Sequence, residues 1–279
     1  MKLFISVDME GIAGIVSNYE EFNERDLYRD SIMFQLKSIV NGIQASELNN
    51  EIEEITICDS HFEGKSIVYR DVSKLDDRIR LISGSPRKTF MVSTIDNSYA
   101  GVIFVGYHAG AGTLHGNMEH SFYGKVVHHI YVNEIPVNES MVNAIHSKDN
   151  GVPVILIAGD DKLKEQLDNL GFLIDVPYII TKESISRFAA KYKARKALKK
   201  ESIEKSKWAV ENISEINLID INAPYNLRIE FNKTIMADYV ELIPGVERID
   251  AYNIGFECSN SMDLICAISA FTRLAGTAE

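Results

Sequence analysis

The sequence predicts an α/β fold, a mostly parallel central sheet flanked by helices, with a smaller C-terminal α/β subdomain. Three observations carry this. Short runs rich in apolar and β-branched residues recur at 3–7, 54–59, 101–106 and 152–158, the length of buried strands. A helical pattern separates the first two, so they should run parallel. Three of these strands end in carboxylates or imidazoles, and an open parallel sheet gathers its site outside the carboxyl ends of its strands.

The first strand, Leu3 to Val7, stops abruptly at Asp8 and Glu10. In extended backbone, positions two apart point to the same side. Two carboxylates aimed at one spot repel and raise one another's pKa unless a positive charge sits between them. Gly11 and Gly14 permit tight backbone beside them. Residues 18–24 read as a polar loop. From Arg25 to Leu48 apolar residues recur at helical spacing, and Asn49-Asn50 ends the helix. Glu54–Asp59 is the second strand, followed by Ser60-His61. Residues 80–84 suit a short strand, and 101–106 another, ending in Tyr107-His108.

Residues 109–119 are glycine-rich, but their spacing fits neither the dinucleotide fingerprint nor the phosphate loop, whose lysine is missing. A flexible loop over the substrate is expected there. Residues 125–132 and 135–137 flank Asn133-Glu134 as a hairpin. His128 and His129, adjacent on a strand, should face opposite ways. Glu139 opens a helical pattern. After the strand at 152–158, Asp160 and Asp161 suit the capping of a helix to Leu170. Ser184 to Ile213 reads as a long basic helix with a solvated face. Strands at 218–222, 227–231 and 248–258 and helices at 234–242 and 261–274 complete the chain. The expected division is a 1–180 metal-binding catalytic domain and a 181–279 subdomain beginning with that basic helix.

Bulk properties narrow the function. The net charge of -11 over 279 residues argues against nucleic-acid binding. No apolar run approaches the ~20 residues of a membrane span, and acidic residues interrupt any signal-peptide pattern. A cytoplasmic protein is expected. The three cysteines, Cys58, Cys258 and Cys266, lack metal spacing and fit reduced thiols. All seven histidines lie between His61 and His146, which places imidazole chemistry in the N-terminal half.

Asp8, Glu10, His61, His108 and Glu139, with His120 nearby, are therefore the candidate constellation. Carboxylates and imidazoles suit Zn²⁺, with Mn²⁺ as the alternative. Five such ligands exceed the needs of one tetrahedral zinc and suit two zincs sharing a bridging carboxylate. Such a pair activates water and polarises a carbonyl or phosphoryl oxygen. His120 is then a candidate acid/base.

The motifs Ser6-Val7-Asp8-Met9-Glu10-Gly11, Asp59-Ser60-His61, Gly106-Tyr107-His108-Ala109, His120-Ser121 and Ala158-Gly159-Asp160-Asp161 occur in this order. Together they resemble the zinc-dependent D-aminopeptidases of the bacterial dipeptide-transport operon. The resemblance holds from residue 1 to about 190 and is looser beyond. It implies a binuclear zinc centre, with two zincs per subunit, that removes an N-terminal D-amino acid from short peptides, and a decameric homo-oligomer. It makes Asp8 the bridging ligand, with Glu10 and His61 on one zinc, His108 and Glu139 on the other, and His120 catalytic. The loop holding His115 and the hairpin before Glu139 are longer here than in that pattern, and Glu134, at the turn tip, is the poorer competitor for the Glu139 position. The same ligand set would also serve a metal-dependent hydrolase of another amide or a phosphoester, for which Lys125 is the basic residue near the site. A structural zinc would instead favour a closed, cysteine-rich site.

Overall fold

The computed structural model describes residues 1–278. β1 (Lys2–Val7) runs through the middle of the larger of two sheets, and its Leu3, Phe4 and Ile5 have no solvent exposure. A strand buried on both faces is apolar nearly throughout, which explains the continuous run. Leu3, Ile5 and Val7 join the core on one face, and Phe4 joins a second core on the other.

A short helix, α1 (Asn18–Asn23), and a long one, α2 (Arg25–Gln44), return the chain to β2 (Glu54–Asp59), parallel to β1. Through α3 (Tyr69–Val72) it reaches β3 (Ile79–Ile82) beyond β2, and then β4 (Tyr99–Tyr107) on the other side of β1. The hairpin β5 (Val127–Val132) and β6 (Ile135–Pro136) leaves this sheet. α4 (Glu139–Asp149) leads back to β7 (Val154–Asp160), parallel to β4. After α5 (Asp161–Asn169), β8 (Tyr178–Ser186) pairs parallel with β7, and β9 (Ala189–Tyr192) turns back antiparallel. The order β3-β2-β1-β4-β7-β8-β9 is thus parallel except at its last strand, as the sequence predicts.

α6 (Arg195–Glu211) then packs on α2. The chain closes with β10 (Tyr225–Phe231), α7 (Thr234–Val240), β11 (Glu247–Arg248), β12 (Asn253–Cys258) and α8 (Ser261–Ala275). The second sheet, of order β11-β12-β10-β5-β6, is antiparallel. α4 packs on β4 and on α8, and α7 and α8 pack on β10 and β12. Residue 180 falls within β8, and each sheet draws on both sides of it. No helix among the described residues is long and apolar enough to cross a membrane.

Several elements differ from expectation for local reasons. Residues 18–24 hold α1, because Ser17 and Glu20 form a capping box. The basic helix begins at Arg195, not near 184. Residues 184–192 form the β8–β9 hairpin at the sheet's edge, where charged residues such as Lys191 discourage pairing with other chains. The segment 218–222 has no partner strand among the described residues and stays irregular. The strand expected at 248–258 is broken because the Asp250 side chain accepts the backbone N–H groups of Tyr252 and Asn253, both at 2.8 Å, and turns the chain between β11 and β12.

The hairpin turn falls at Asn133 and Glu134 as expected, both with positive φ. His128 and His129 do not oppose one another. Glu230 pairs with His129 and Phe231 with Val127, which leaves His128 in a β-bulge. The two rings meet edge-on at 4.3 Å, and His129 Nδ1 lies 3.3 Å from Glu230.

α2 and α6 approach closely at Gly42, where a Cβ would overlap Ser206 Oγ and lie 2.5 Å from the Ile203 carbonyl oxygen. Helix propensity favours alanine over glycine by up to ~1 kcal/mol, but the carbonyl cannot move aside as a side chain can. Gly42→Ala should therefore destabilise the protein by ~1–3 kcal/mol in urea unfolding. A stabilised variant would show that the two helices slide apart at little cost.

Candidate metal centre

The site lies where β1, β2 and β4 end. Beyond Val7, the Asp8 N–H donates to the Val105 carbonyl at 2.8 Å and the Gly11 N–H to the Gly106 carbonyl at 2.7 Å. A Cβ on Gly106, whose φ is +76°, would overlap the Asp8 carbonyl oxygen, and one on Gly11 would overlap that of Tyr107. Glycine at both positions lets the ends of β1 and β4 close on each other, and this sets Asp8 and Glu10 beside His108. His61 follows β2 by two residues. Glu139 is the first residue of α4, behind the Asn138 cap, and its Oε1 accepts the Phe122 N–H at 2.6 Å.

All six predicted residues converge. His61 Nδ1 lies 3.3 Å from Asp8 Oδ1 and 3.3 Å from Glu10 Oε2. His108 Nε2 lies 3.7 Å from Asp8 Oδ2 and 3.8 Å from Glu139 Oε1. His120 Nε2 lies 3.9 Å from both Glu10 Oε1 and Glu139 Oε1. The rings of His108 and His120 stack at 4.4 Å. Two ligand groups, Asp8/Glu10/His61 and Asp8/His108/Glu139, have Asp8 in common, and Glu10, His108 and His120 form a third.

These residues fit a divalent metal. Glu10 Oε2 and His108 Nε2 are buried with no hydrogen-bond partner, which is costly for polar groups. Bonds of ~2.1 Å to zinc put neighbouring ligand atoms about 3.4 Å apart, close to the separations observed.

The charges are correspondingly strained. Burial, and then the Glu10 carboxylate, push the Asp8 carboxyl up to about 8. Burial disfavours the Glu10 carboxylate too, but the imidazoles of His61, His120 and His108 override it and hold Glu10 well below the usual range. Burial also works against protonation of His61 and His108, yet the carboxylates facing them raise both, His108 to about 9. One carboxyl lowered and its neighbour raised is the pattern of two carboxyls held side by side away from water.

The D-aminopeptidase family model matches residues 1–270. The chain belongs to that family. It is 31% identical over 278 residues to a curated D-aminopeptidase from Bacillus subtilis (strain 168), covering 99% of this chain and 98% of that one. Its fold superposes with a TM-score of 0.87 on a solved structure at 30% identity, covering 99% of this chain and 98% of that chain. That structure is the zinc-dependent D-aminopeptidase DppA from Bacillus subtilis, described as a self-compartmentalizing protease.

Other motif residues take supporting places. Asp160 caps α5 by accepting the Leu163 N–H at 2.7 Å, and also accepts the Ala109 N–H at 3.2 Å, which fixes the chain just beyond His108. Asp59 accepts the Ile67 N–H at 2.7 Å. The loop 109–119, expected to be flexible, is fastened. Gly110 donates to Gln166, Gly112 to Glu119 and the Asn117 side chain to the Val16 and Arg187 carbonyls, while Arg187 pairs with Glu119. His115 is exposed and Lys125 is exposed.

One side chain escapes the sequence reading. Glu21 Oε2 lies 3.3 Å from His61 Nε2. The Ser17-x-x-Glu20 signature was the available signal, since it predicts a helix that carries the following residue at a fixed angle.

If these buried groups bind zinc in the folded state alone, free zinc at 100 times its dissociation constant should add ~2.7 kcal/mol of stability. Thermal unfolding with zinc and with a chelator measures this, and identical midpoints would count against the site.

Proposed function

We propose that this protein is a binuclear-zinc aminopeptidase that hydrolyses the N-terminal residue, a D-amino acid, from short peptides. The observation that carries the reading is the sharing of Asp8 between two three-residue ligand groups. In this reading Asp8 bridges, Glu10 and His61 complete one position, and His108 and Glu139 complete the other. Mn²⁺ is the alternative metal. Zinc in such a site supplies Lewis acidity, which acidifies water and polarises a carbonyl.

The chain's own residues supply proton transfer and placement. His120 Nδ1–H donates to the Met118 carbonyl at 2.8 Å, which leaves Nε2 bare and facing Glu10 and Glu139. The His120 side chain is 22% exposed, against 2–8% for Asp8, Glu10, His108 and Glu139. It alone of these is open to a substrate, so it is assigned as the group that takes a proton from the attacking water and returns it to the leaving amine.

Large apolar side chains stand exposed beside the site residues, with Phe22 next to Glu21, Phe62 next to His61 and Leu114 in the loop that leads to His120. They favour burial against further copies of the chain, in line with the self-compartmentalizing relative. We assign the protein a homo-oligomer, decameric by family resemblance, in the cytoplasm.

Three measurements test the reading. Elemental analysis should find about two zincs per chain, and matched D-Ala and L-Ala p-nitroanilides should show chelator-sensitive cleavage favouring the D form. Equal cleavage of both would remove the D preference. Metal without cleavage of either would move the assignment to another amide or a phosphoester. Asp8→Ala should lose both metals. His120→Ala should keep both and lose turnover by ~10²–10⁴-fold; loss of zinc with activity in proportion would make His120 a ligand.

A further inference from the structure

An imidazole binds metal through one ring nitrogen, and the partner of the other nitrogen sets which one is bare. At His108 and His120 that partner is backbone. Their Nδ1–H groups donate to the Ala109 and Met118 carbonyls at 2.9 and 2.8 Å, so Nε2 faces inward. His61 is turned the other way. Its Nδ1 faces Asp8 and Glu10, and its Nε2 meets a side chain from another element, Glu21 on α1.

α1 has no buried residue, so the core does not hold it. Polar contacts fasten its entrance instead. Glu20 accepts the N–H groups of Val16 and Ser17, Lys182 Nζ donates to the Ile15 carbonyl at 2.6 Å, and Asn117 Nδ2 to that of Val16 at 3.2 Å. Lys182 is itself buried, which makes this an expensive anchor for a six-residue surface helix. The residue that the anchored helix turns toward the metal centre is Glu21.

We propose that Glu21 is a positioning residue of the metal centre: its carboxylate accepts the Nε2 proton of His61 and so presents the bare Nδ1 to the metal position shared with Asp8 and Glu10. The proposal rests on the reading of His61 as a ligand. Glu21 is not itself a ligand, because it sits on the ring nitrogen opposite Asp8 and Glu10. Nor is it a free surface ion pair, since the side chains of His61 and Glu21 are only 11% and 16% exposed.

The test uses the full chain, with zinc alone as the probe. Chelator competition measures the affinity of each zinc equivalent in wild type, Glu21→Ala, Glu21→Gln and His61→Ala. Nitrogen-15 correlation spectra of the zinc-loaded protein read the His61 tautomer. Wild type should carry its proton on Nε2. Glu21→Ala should weaken one equivalent about 10- to 100-fold and leave the other unchanged. Glu21→Gln, whose amide oxygen still accepts that proton, should recover part of the loss and the tautomer with it; this arm also serves if Glu21→Ala folds poorly. Wild-type affinities in Glu21→Ala, with one equivalent lost in His61→Ala, would overturn the role of Glu21 while sparing the metal centre. Both equivalents retained in His61→Ala would overturn the ligand assignment itself.

Discussion

Asp8, Glu10 and Glu139 bring three carboxylates to one buried point, where water screens them poorly. Within each ligand group the facing atoms lie inside 4.8 Å of one another. Two unit charges at that distance repel by roughly 3–4 kcal/mol at an effective dielectric constant of 20. Left alone, such a cluster would move apart or take up protons, and the raised Asp8 carboxyl shows the second tendency. The fold must therefore hold the carboxylates in place, and a cation relieves what the fold cannot. Much of the surrounding structure serves the first task.

Holding begins with the position of β1. As a central strand with hydrogen-bonded neighbours on both sides, it cannot shift its end without disturbing β2 and β4. Gly11 and Gly106 then allow backbone to meet backbone where β1 and β4 end, and side chains there would force the carboxylates away from His108. Asp160 adds a tie from the next strand through the Ala109 N–H. Beneath the site, Tyr107 OH lies 2.7 Å from Ser6 Oγ and accepts from Asn143 Nδ2 at 3.0 Å. These buried groups are satisfied by one another and so stiffen the floor of the site.

The parts of this arrangement legible in the sequence are those set by strand period and strand ends. Asp8, Glu10, His61 and His108 follow short apolar runs, and the direction of a parallel sheet brings such positions to one edge. Glu139 and His120 are legible for different reasons, the first as the opening residue of a periodic helix and the second by family pattern. What escaped is set by non-local or polar contacts. α1 is fixed by a capping box and by lysine and asparagine side chains far along the chain, so its amphipathic pattern is too weak to read. The His128 bulge exists only in register with β10. Residues 184–192 carry a basic composition that suits a solvated helix and an edge hairpin equally, and β8's place beside β7 decides between them.

The candidate ligands also differ in how they are carried. Asp8, Glu10, His61 and His108 hang from the larger sheet, while Glu139 begins the helix that follows the β5–β6 hairpin of the smaller one. The two sheets share one apolar core, in which Phe4 and Phe104 of the larger meet Ile130 and Leu227 of the smaller, and a cation between Asp8 and Glu139 would add a polar tie at its rim. Because its ligands are spread from residue 8 to residue 139, such a tie closes long loops of chain, and the gain from closure grows with loop length, though slowly. The same closeness that sets these carboxylates against one another is what would let one cation bind them together.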